Sequence, residues 1–467
     1  MDRDLVVRYL ASSPVPASWI VGRLALALLL IALPARGAGE LPLLVTVGDV
    51  TDTGAVVWAR GHSPAPITVR YGKAGEALRS ERQIGVTAAA DLAGTVALAG
   101  LAPGARHRYT VSQSGNDVAG EFVTAPPAGA AVPVRFAWSG DLGSRTQCRH
   151  LTDGYPIFRT LARFKVDFFV FVGDTIYADH ACGGADRVPG YQFVATTLPG
   201  YLAKHRYNRA DPGVQAYFRS LSVYAIWDDH EVRNNFSGPG EALMPAGRQA
   251  FLDYFPIRPP AEEPGRLYRA FRWGSLVDLF ILDTRQYRSP NAEPDGPGKT
   301  MLGAAQKRWL IESVTASTAT WKVIVSSVPL SVATGGKAHD SWSNANPLGF
   351  PEENGTGFAI ERDALIRAFR QRGVRNLVFL AADVHHAELI RHHPVPDWSF
   401  HEFIAGPLSA SLGRPRPLDN GLNPRSLFAM GGMENFGEVS VDATGLTVRI
   451  VDLTGAVRFT HTIGPER

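Results

Sequence analysis

Five aspartates stand just beyond five apolar runs. Val134–Trp138 leads to Asp141, Phe168–Val172 to Asp174, Val223–Trp227 to Asp228, Val277–Leu282 to Asp283 and Leu377–Ala382 to Asp383. A lone aspartate in such a place often caps the next helix. Five on one rim are another matter, because clustered carboxylates repel one another until protons or cations neutralise them. Hard oxygen ligands with one or two imidazoles suit a metal centre, and two cations sharing a carboxylate suit hydrolysis of a phosphoryl ester. Donors of that kind accompany the acids: Gly173-Asp174-Thr175-Ile176-Tyr177, then Trp227-Asp228-Asp229-His230-Glu231-Val232-Arg233-Asn234-Asn235, then Asp383-Val384-His385-His386.

A rim needs a sheet behind it. The apolar runs alternate with helical stretches at Pro156–Phe164, Ala304–Ser313 and Arg362–Arg370. Continuous apolar strands separated by helices predict an α/β fold with a covered, largely parallel sheet, whose ligands bind beyond the carboxyl ends of the strands. A strand-rich run at Val439–Thr462 is expected to finish a second sheet. Earlier in the chain the period differs. From Leu41 to Thr124 short alternating runs are cut by Gly/Pro turns, which predicts a small all-β sandwich, and Ala125–Pro133 reads as a linker. Leu24–Leu33 is ten apolar residues with Arg23 before it and small residues after it, the pattern of a secretory leader; ten residues are too few to cross a bilayer core that needs about 20. The organisation expected is therefore a leader over residues 1–38, a β-sandwich over 39–127 and a catalytic domain over 128–467. The protein is expected to be exported, to the periplasm or the cell exterior, with no transmembrane span. Net charge is +3 from 47 basic and 44 acidic residues, too small a field for a stable nucleic-acid partner.

In their order, the blocks Ser139-Gly140-Asp141, Gly173-Asp174, Asp228-Asp229-His230-Glu231 and Asp383-Val384-His385 resemble the ligand series of the calcineurin-like metallophosphoesterases. Gly-Asp-x-Ile-Tyr, Trp-Asp-Asp-His-Glu with its paired Asn, and Asp-Val-His are similar to one branch of that group, the alkaline phosphatase D (PhoD-like) family. The Leu101–Tyr109 segment resembles the turn before a late strand in fibronectin-type-III-like domains. The resemblance implies a four-layer α/β/β/α sandwich preceded by a small fibronectin- or Ig-like β domain. It implies Asp174 bridging two metals, Asp141, Tyr177 and His385 completing one site, and Asp229 and Asp383 with Asn235 building the other. His230 would serve catalysis together with Asp228. Arg233 and Arg285 would hold the substrate phosphate, and Arg145, Arg149 and Arg288 also lie in strand-end loops. Family members hydrolyse phosphate monoesters and diesters with iron and calcium. A tyrosine ligand works as phenolate, from a pKa near about 10, so Fe3+ is favoured beside Tyr177; Ca2+ is the other cation the resemblance implies among two or more metal ions, with Mn2+ or Mg2+ as alternatives. The family often has a Cys where this chain has Asp141, which moves the site toward oxygen ligation.

The remaining residues are less decided. Cys148 and Cys182 are either a disulfide beside the site or two free thiols. His386 would point away from His385 on a strand; His180, His339, His392 and His393 read as solvated loop residues. The expected protein is a monomeric phosphatase or phosphodiesterase whose partner is a phosphate ester. A diesterase for phospholipid or nucleic acid, and a surface-binding protein with a vestigial metal site, are the alternatives.

Overall fold

The computed structural model describes residues 43–466; the leader expected over residues 1–38 lies outside them. The first seven strands are β1 (Leu44–Gly48), β2 (Gly54–Arg60), β3 (Ile67–Lys73), β4 (Ser80–Ile84), β5 (Ala93–Ala99), β6 (Arg106–Gln113) and β7 (Asn116–Val123). There follow β8 (Val134–Ser139), β9 (Phe168–Val172), β10 (Ser222–Ile226), β11 (Arg269–Trp273), β12 (Val277–Ile281), β13 (Trp321–Val325) and β14 (Leu377–Ala381). The last six are β15 (Ala387–Val395), β16 (Trp398–Ile404), β17 (Pro424–Met430), β18 (Asn435–Val441), β19 (Leu446–Asp452) and β20 (Val457–Ile463). The helices are α1 (Ile157–Leu161), α2 (Leu198–Arg209), α3 (Pro212–Phe218), α4 (Met244–Tyr254), α5 (Gly303–Ala316) and α6 (Ala359–Gln371).

The strands make a nine-stranded sheet in the order β20-β19-β18-β8-β9-β10-β1-β2-β5, a seven-stranded sheet in the order β11-β12-β13-β14-β16-β15-β17, and a four-stranded sheet β4-β3-β6-β7. Two features depart from the sequence reading. The N-terminal strands are not a free-standing module: β1 runs parallel to β10, with Val47 opposite Ser222 and Gly48 opposite Val223, so β1, β2 and β5 extend the large sheet. Gly48 permits that approach, since a Cβ there would collide with the Val223 carbonyl and the Pro256 ring. The C-terminal strands also return to the sheet in which β8 lies, β18 pairing antiparallel with β8, instead of finishing the other one.

Side chains alternate across the strands and bury both faces. Phe168 of β9 packs on Trp273 of β11 at 4.6 Å, and Trp138 of β8 on Phe403 of β16 at 6.3 Å, so the two large sheets meet face to face. The neighbouring Phe169 and Phe171 point the other way, to Tyr217 and Phe218 of α3, which in turn meet Phe158 of α1. On the far side of the seven-stranded sheet, Phe280, Ile324 and Phe379 share a core with Leu310 and Val314 of α5 and Leu365 and Phe369 of α6. Full burial of each such side chain contributes roughly 1.5–3 kcal/mol. β8, β9 and β10 run parallel in one sheet and β12, β13 and β14 in the other, so their carboxyl ends open toward common loops.

Candidate metal and phosphate site

At the carboxyl ends of β8, β9, β10 and β14 the backbone turns at once. Asp141, Asp174, Asn235, Asp383 and His385 all hold left-handed conformations, with φ of 64°, 49°, 56°, 65° and 56°. Non-glycine residues there cost of order 1–3 kcal/mol each, and such strain persists where the surrounding structure over-determines it. The turns are stitched together: Leu142 N–H donates to the Asp174 carbonyl at 2.8 Å, and Gly173 N–H to the Ile226 carbonyl at 3.0 Å. Gly406 lies so close to the Asp141 carboxylate that a side chain at that position would displace it.

The carboxylates converge. Ligand atoms of Asp141, Asp174 and His385 lie within 4.8 Å of one another; so do those of Asp174, Asp229 and His230, and those of Asp228, Asp229 and Asp383. Asp174 belongs to two of these groups. Asp141 is fully buried and neither of its oxygens has a hydrogen-bond partner; Asp228 Oδ2, Asp229 Oδ1 and Asp383 Oδ2 are buried and unpartnered as well. Burial, and then the charge of neighbouring aspartates, pushes Asp141, Asp174 and Asp383 well above the usual carboxylate range. Asp229 goes the other way: burial opposes its charge, but His230 and Arg285 hold it below the usual range.

His385 is set as a neutral donor. Its Nδ1 faces the Ser411 carbonyl at 2.6 Å, and a carbonyl can only accept, so Nδ1 carries the proton and Nε2 is left with a lone pair. That Nε2 is 2.9 Å from the Tyr177 hydroxyl and 3.6 Å from Asp141 Oδ1. Burial lowers His385 to about 4, which keeps it neutral. His230 is the opposite case. Burial disfavours its charge, yet Asp229, Asp179 and Asp228 prevail and raise it to about 9. Its Nδ1 lies 2.7 Å from Asp179 Oδ1, and its backbone N–H donates to Asp174 Oδ1 at 3.2 Å. The Tyr177 ring lies 4.2 Å from that of His230 and 5.2 Å from that of His180. Burial, then Asp174 and Asp141, pushes the Tyr177 phenol well above its ordinary value, so only a strong positive charge would ionise it. A crevice of about 370 Å³ opens over Asp174, Tyr177, Asp229, His230, Asp383 and His385.

A family model described as PhoD-like phosphatase matches residues 136–449, more than half of the chain. The chain belongs to the PhoD-like phosphatase family, a family of phosphoric ester hydrolases. Alkaline phosphatase D of Bacillus subtilis (strain 168) is 28% identical over 320 residues, 61% of this chain and 52% of that protein. The chain thus matches about half the length of that curated relative. Among solved structures, one of PhoD aligns over 92% of this chain and 93% of its own with a TM-score of 0.72 and 20% identity. Purple acid phosphatase PPD1 from yellow lupin (Lupinus luteus) seeds aligns over 90% of this chain and 74% of its own, with a TM-score of 0.62 and 14% identity. These two show the fold.

Not every residue expected at the PhoD-like site lies on its surface. Arg285 does not face substrate: it is fully buried, donating to Asp228 Oδ1 at 2.6 Å and to the Asp340 carboxylate at 2.7 and 2.8 Å. A guanidinium among that many buried carboxylates stays beneath them as their counter-charge. Asp228 shares that layer, its Oδ1 also accepting from Ser327 Oγ at 2.6 Å. Arg233 is exposed and paired with Glu241, away from the crevice lining. Arg145 and Arg416 line the crevice, with His180 and Asn234. Asn235 does line it, and its N–H donates to Asp229 Oδ2 at 2.6 Å.

Of the other histidines, His386 is buried against Glu388 at 3.1 Å, facing away from the site as its place after His385 implied. His180, His339 and His392 are not solvated loop residues. His180 stacks at the crevice, His339 bonds Ala345 O at 3.0 Å, and His392 is buried on Glu402 at 2.9 Å. Cys148 and Cys182 form a disulfide, with Cα atoms 6.1 Å apart, joining the loop after Asp141 to the loop after Tyr177. Asp179, Asn234, Ser411 and Arg416 were not anticipated. Asn234 sits inside the Trp227–Asn235 block and Asp179 two residues beyond Tyr177, so nearness to Asn235 and Tyr177 was their signal; Ser411 and Arg416 carry none.

Proposed function

We propose that this chain is an exported, metal-dependent phosphatase that hydrolyses phosphate esters, on a four-layer α/β/β/α frame extended by the strands β1–β7. The observation that carries this reading is the set of buried carboxylate oxygens without partners at Asp141, Asp228, Asp229 and Asp383. Uncompensated buried carboxylates are costly, and the donor set of oxygen, imidazole and phenol suits cations. Asp174 would be shared between two metals. Asp141, Tyr177 and His385 would hold one, and Asp229, Asp383 and Asn235 the other. The phenol at Tyr177 favours Fe3+ there, and the all-oxygen set favours Ca2+, with Mn2+ or Mg2+ as alternatives. When bound, such cations neutralise the phosphate and lower the pKa of a water. The residues of the chain do the rest. Arg145 and Arg416 draw the phosphate into the crevice. His230, held by Asp179, keeps its proton and aims it at the leaving oxygen. Arg285 restrains Asp228 and Asp229 from below. The Cys148–Cys182 disulfide suits an oxidising compartment, in line with the leader expected over residues 1–38. Among the described residues no helix is long and apolar enough to cross a membrane.

Elemental analysis of the purified protein, with assays on an aryl phosphate monoester and diester, tests the reading. Two or more metals per chain, and activity that chelation removes, are expected. A protein that binds no metal, or that loads metal and hydrolyses neither ester, overturns it. A visible absorption that Tyr177→Phe bleaches would mark a ferric phenolate; a colourless, iron-free, active enzyme would give that site to one of the other cations.

A further inference from the structure

Beside the catalytic crevice lies a second hollow of about 450 Å³, lined by Thr334, Lys337, His339, Asn346, Glu352 and Arg416 among others. Arg416 lines both hollows. Two segments build this wall. The loop from Thr334 to Asp340 closes through the Asp340 N–H to the Thr334 carbonyl at 3.0 Å, and turns through Gly335 and Gly336 at φ of 89° and 62°. Its foot is pinned in the catalytic layer, where the Asp340 carboxylate accepts from Arg285 and Arg288 at 2.7–2.9 Å. The second segment is stitched alongside: Asp419 N–H donates to Ser331 O at 2.8 Å, Leu418 bridges Val332, and Arg416 Nη1 donates to Ala333 O at 3.0 Å. Lys337 and Arg416 are therefore presented by anchored loops, one at the hollow and one between hollow and crevice.

The lining is chemically selective. Two cations face one carboxylate, Glu352, so an anion is favoured. Thr334 Oγ1 is buried there without a hydrogen-bond partner. Its residues take no part in the metal-ligand groups. We propose that this hollow receives the organic part of a phosphate ester that carries a second phosphate group, with Lys337 and Arg416 as its specificity-determining cations. This rests on the phosphatase reading above. Arg416 spans the two anions, one in each hollow, while Lys337 meets only the distal one. Glu352 repels it and so limits how deep the second phosphate sits.

The test compares propane-1,3-diol monophosphate and bisphosphate by release of inorganic phosphate from the metal-containing protein. Wild-type kcat/KM is expected to favour the bisphosphate by about three- to tenfold beyond the factor of about two that its two ends supply. Lys337→Gln should erase that preference by raising KM for the bisphosphate, with the monophosphate changed by less than about twofold; Glu352→Gln should widen it. Release from both compounds with no charge preference, or a Lys337→Gln effect equal on both, overturns the subsite alone. Release from neither overturns the subsite; if the aryl monoester and diester are also left intact, the phosphatase reading falls with it.

Discussion

Asp419 and Asp141 are both buried carboxylates in loops beyond strands, and their surroundings differ in every respect. Asp419 Oδ2 accepts from Arg362 at 3.0 Å, from Ser343 at 3.0 Å and from the Asn344 N–H at 3.1 Å, while Oδ1 accepts from the Gly421 N–H at 2.8 Å. Burial opposes its charge, but Arg362 and these donors hold its pKa below the usual value. Asp141 has no donor on either oxygen, and burial with the charge of Asp228 holds it high. A carboxylate that serves the fold comes with its own arginine and amides. A carboxylate that serves chemistry is left open, and its neighbours are of the same sign. Arg285 sits under the cluster and leaves both Asp141 oxygens and Asp383 Oδ2 without a donor.

The sharpest break in that contrast is expected at Asp174, which shares ligand groups with both Asp141 and Asp229. Asp174→Asn should lose about 10³-fold or more in kcat, because several kcal/mol of charge stabilisation depend on the cations it helps hold. Metal content, measured on the same sample, should fall. Full activity at unchanged metal content would end the reading of Asp174 as shared. His230→Ala comes next, with a loss of about 10²–10⁴-fold at retained metal and fold, the range for a positioned acid or base. A folded variant within a few-fold of wild type would remove His230 from the chemistry.

How much of this was legible beforehand depends on whether a residue's partners are near it in sequence. The rim was legible because apolar runs that end in aspartate are local, and Asp174, Tyr177, Asp229, His385 and Asn235 do line one crevice or one ligand group. Arg285 misled, because a strand-end arginine reads as a phosphate ligand until Asp340, 55 residues on, is seen to claim it. Arg416 could not be found at all, since no spacing rule connects it to Asp174. The same blindness to distant partners hid the join of β1 to β10 and sent β18 to the wrong sheet: pairings between segments hundreds of residues apart depend on complementary faces, which a single strand's pattern does not contain.

Stability separates the two kinds of carboxylate by sign. Asp419→Ala should destabilise the protein by about 3 kcal/mol, since it takes the buried carboxylate from Arg362, which keeps only Asp363 and the Leu330 carbonyl, and leaves Ser343 and the Asn344 and Gly421 N–H groups without their acceptor. Asp141→Ala should stabilise the metal-free protein, since it removes an uncompensated charge. Denaturant titration of both variants without metal checks this, and a loss at Asp141 equal to that at Asp419 would erase the contrast. The pH dependence follows the same logic. Burial raises Glu231 to about 7, and Asp141, Asp174 and Asp383 are raised as well. A carboxyl whose folded pKa is raised contributes stability that is fully present below its unfolded pKa and is lost as pH rises through the folded one. The contribution of these carboxyls to the stability of the metal-free protein should therefore fall as pH climbs from about 4 toward 7 and beyond, so added metal should raise the melting temperature more at pH 7 than at pH 4. A metal-induced rise in melting temperature no larger at pH 7 than at pH 4 would contradict it.

The smallest effect is expected at Asp179, which stands between the two kinds. Its Oδ1 takes the His230 Nδ1 and its Oδ2 accepts from the Asn234 N–H at 2.8 Å, so it is satisfied like Asp419, yet it touches the imidazole proposed to act on substrate. It is a positioning residue. Asp179→Asn keeps an acceptor for the imidazole and removes a charge, so orientation should survive and rate should fall only about tenfold, near the lower end for outer partners of this kind. The charge has a second consequence. Asp179 is one of the carboxylates that raise His230 to about 9, so losing it should lower the His230 pKa. If His230 works in its protonated form, the alkaline limb of the rate profile should move to lower pH in the variant, while a merely structural role would leave that limb in place. Asp179→Glu, which restores the charge, should move it back. A variant with unaltered pH dependence and a lowered melting temperature would place Asp179 with Asp419, among the carboxylates of the fold.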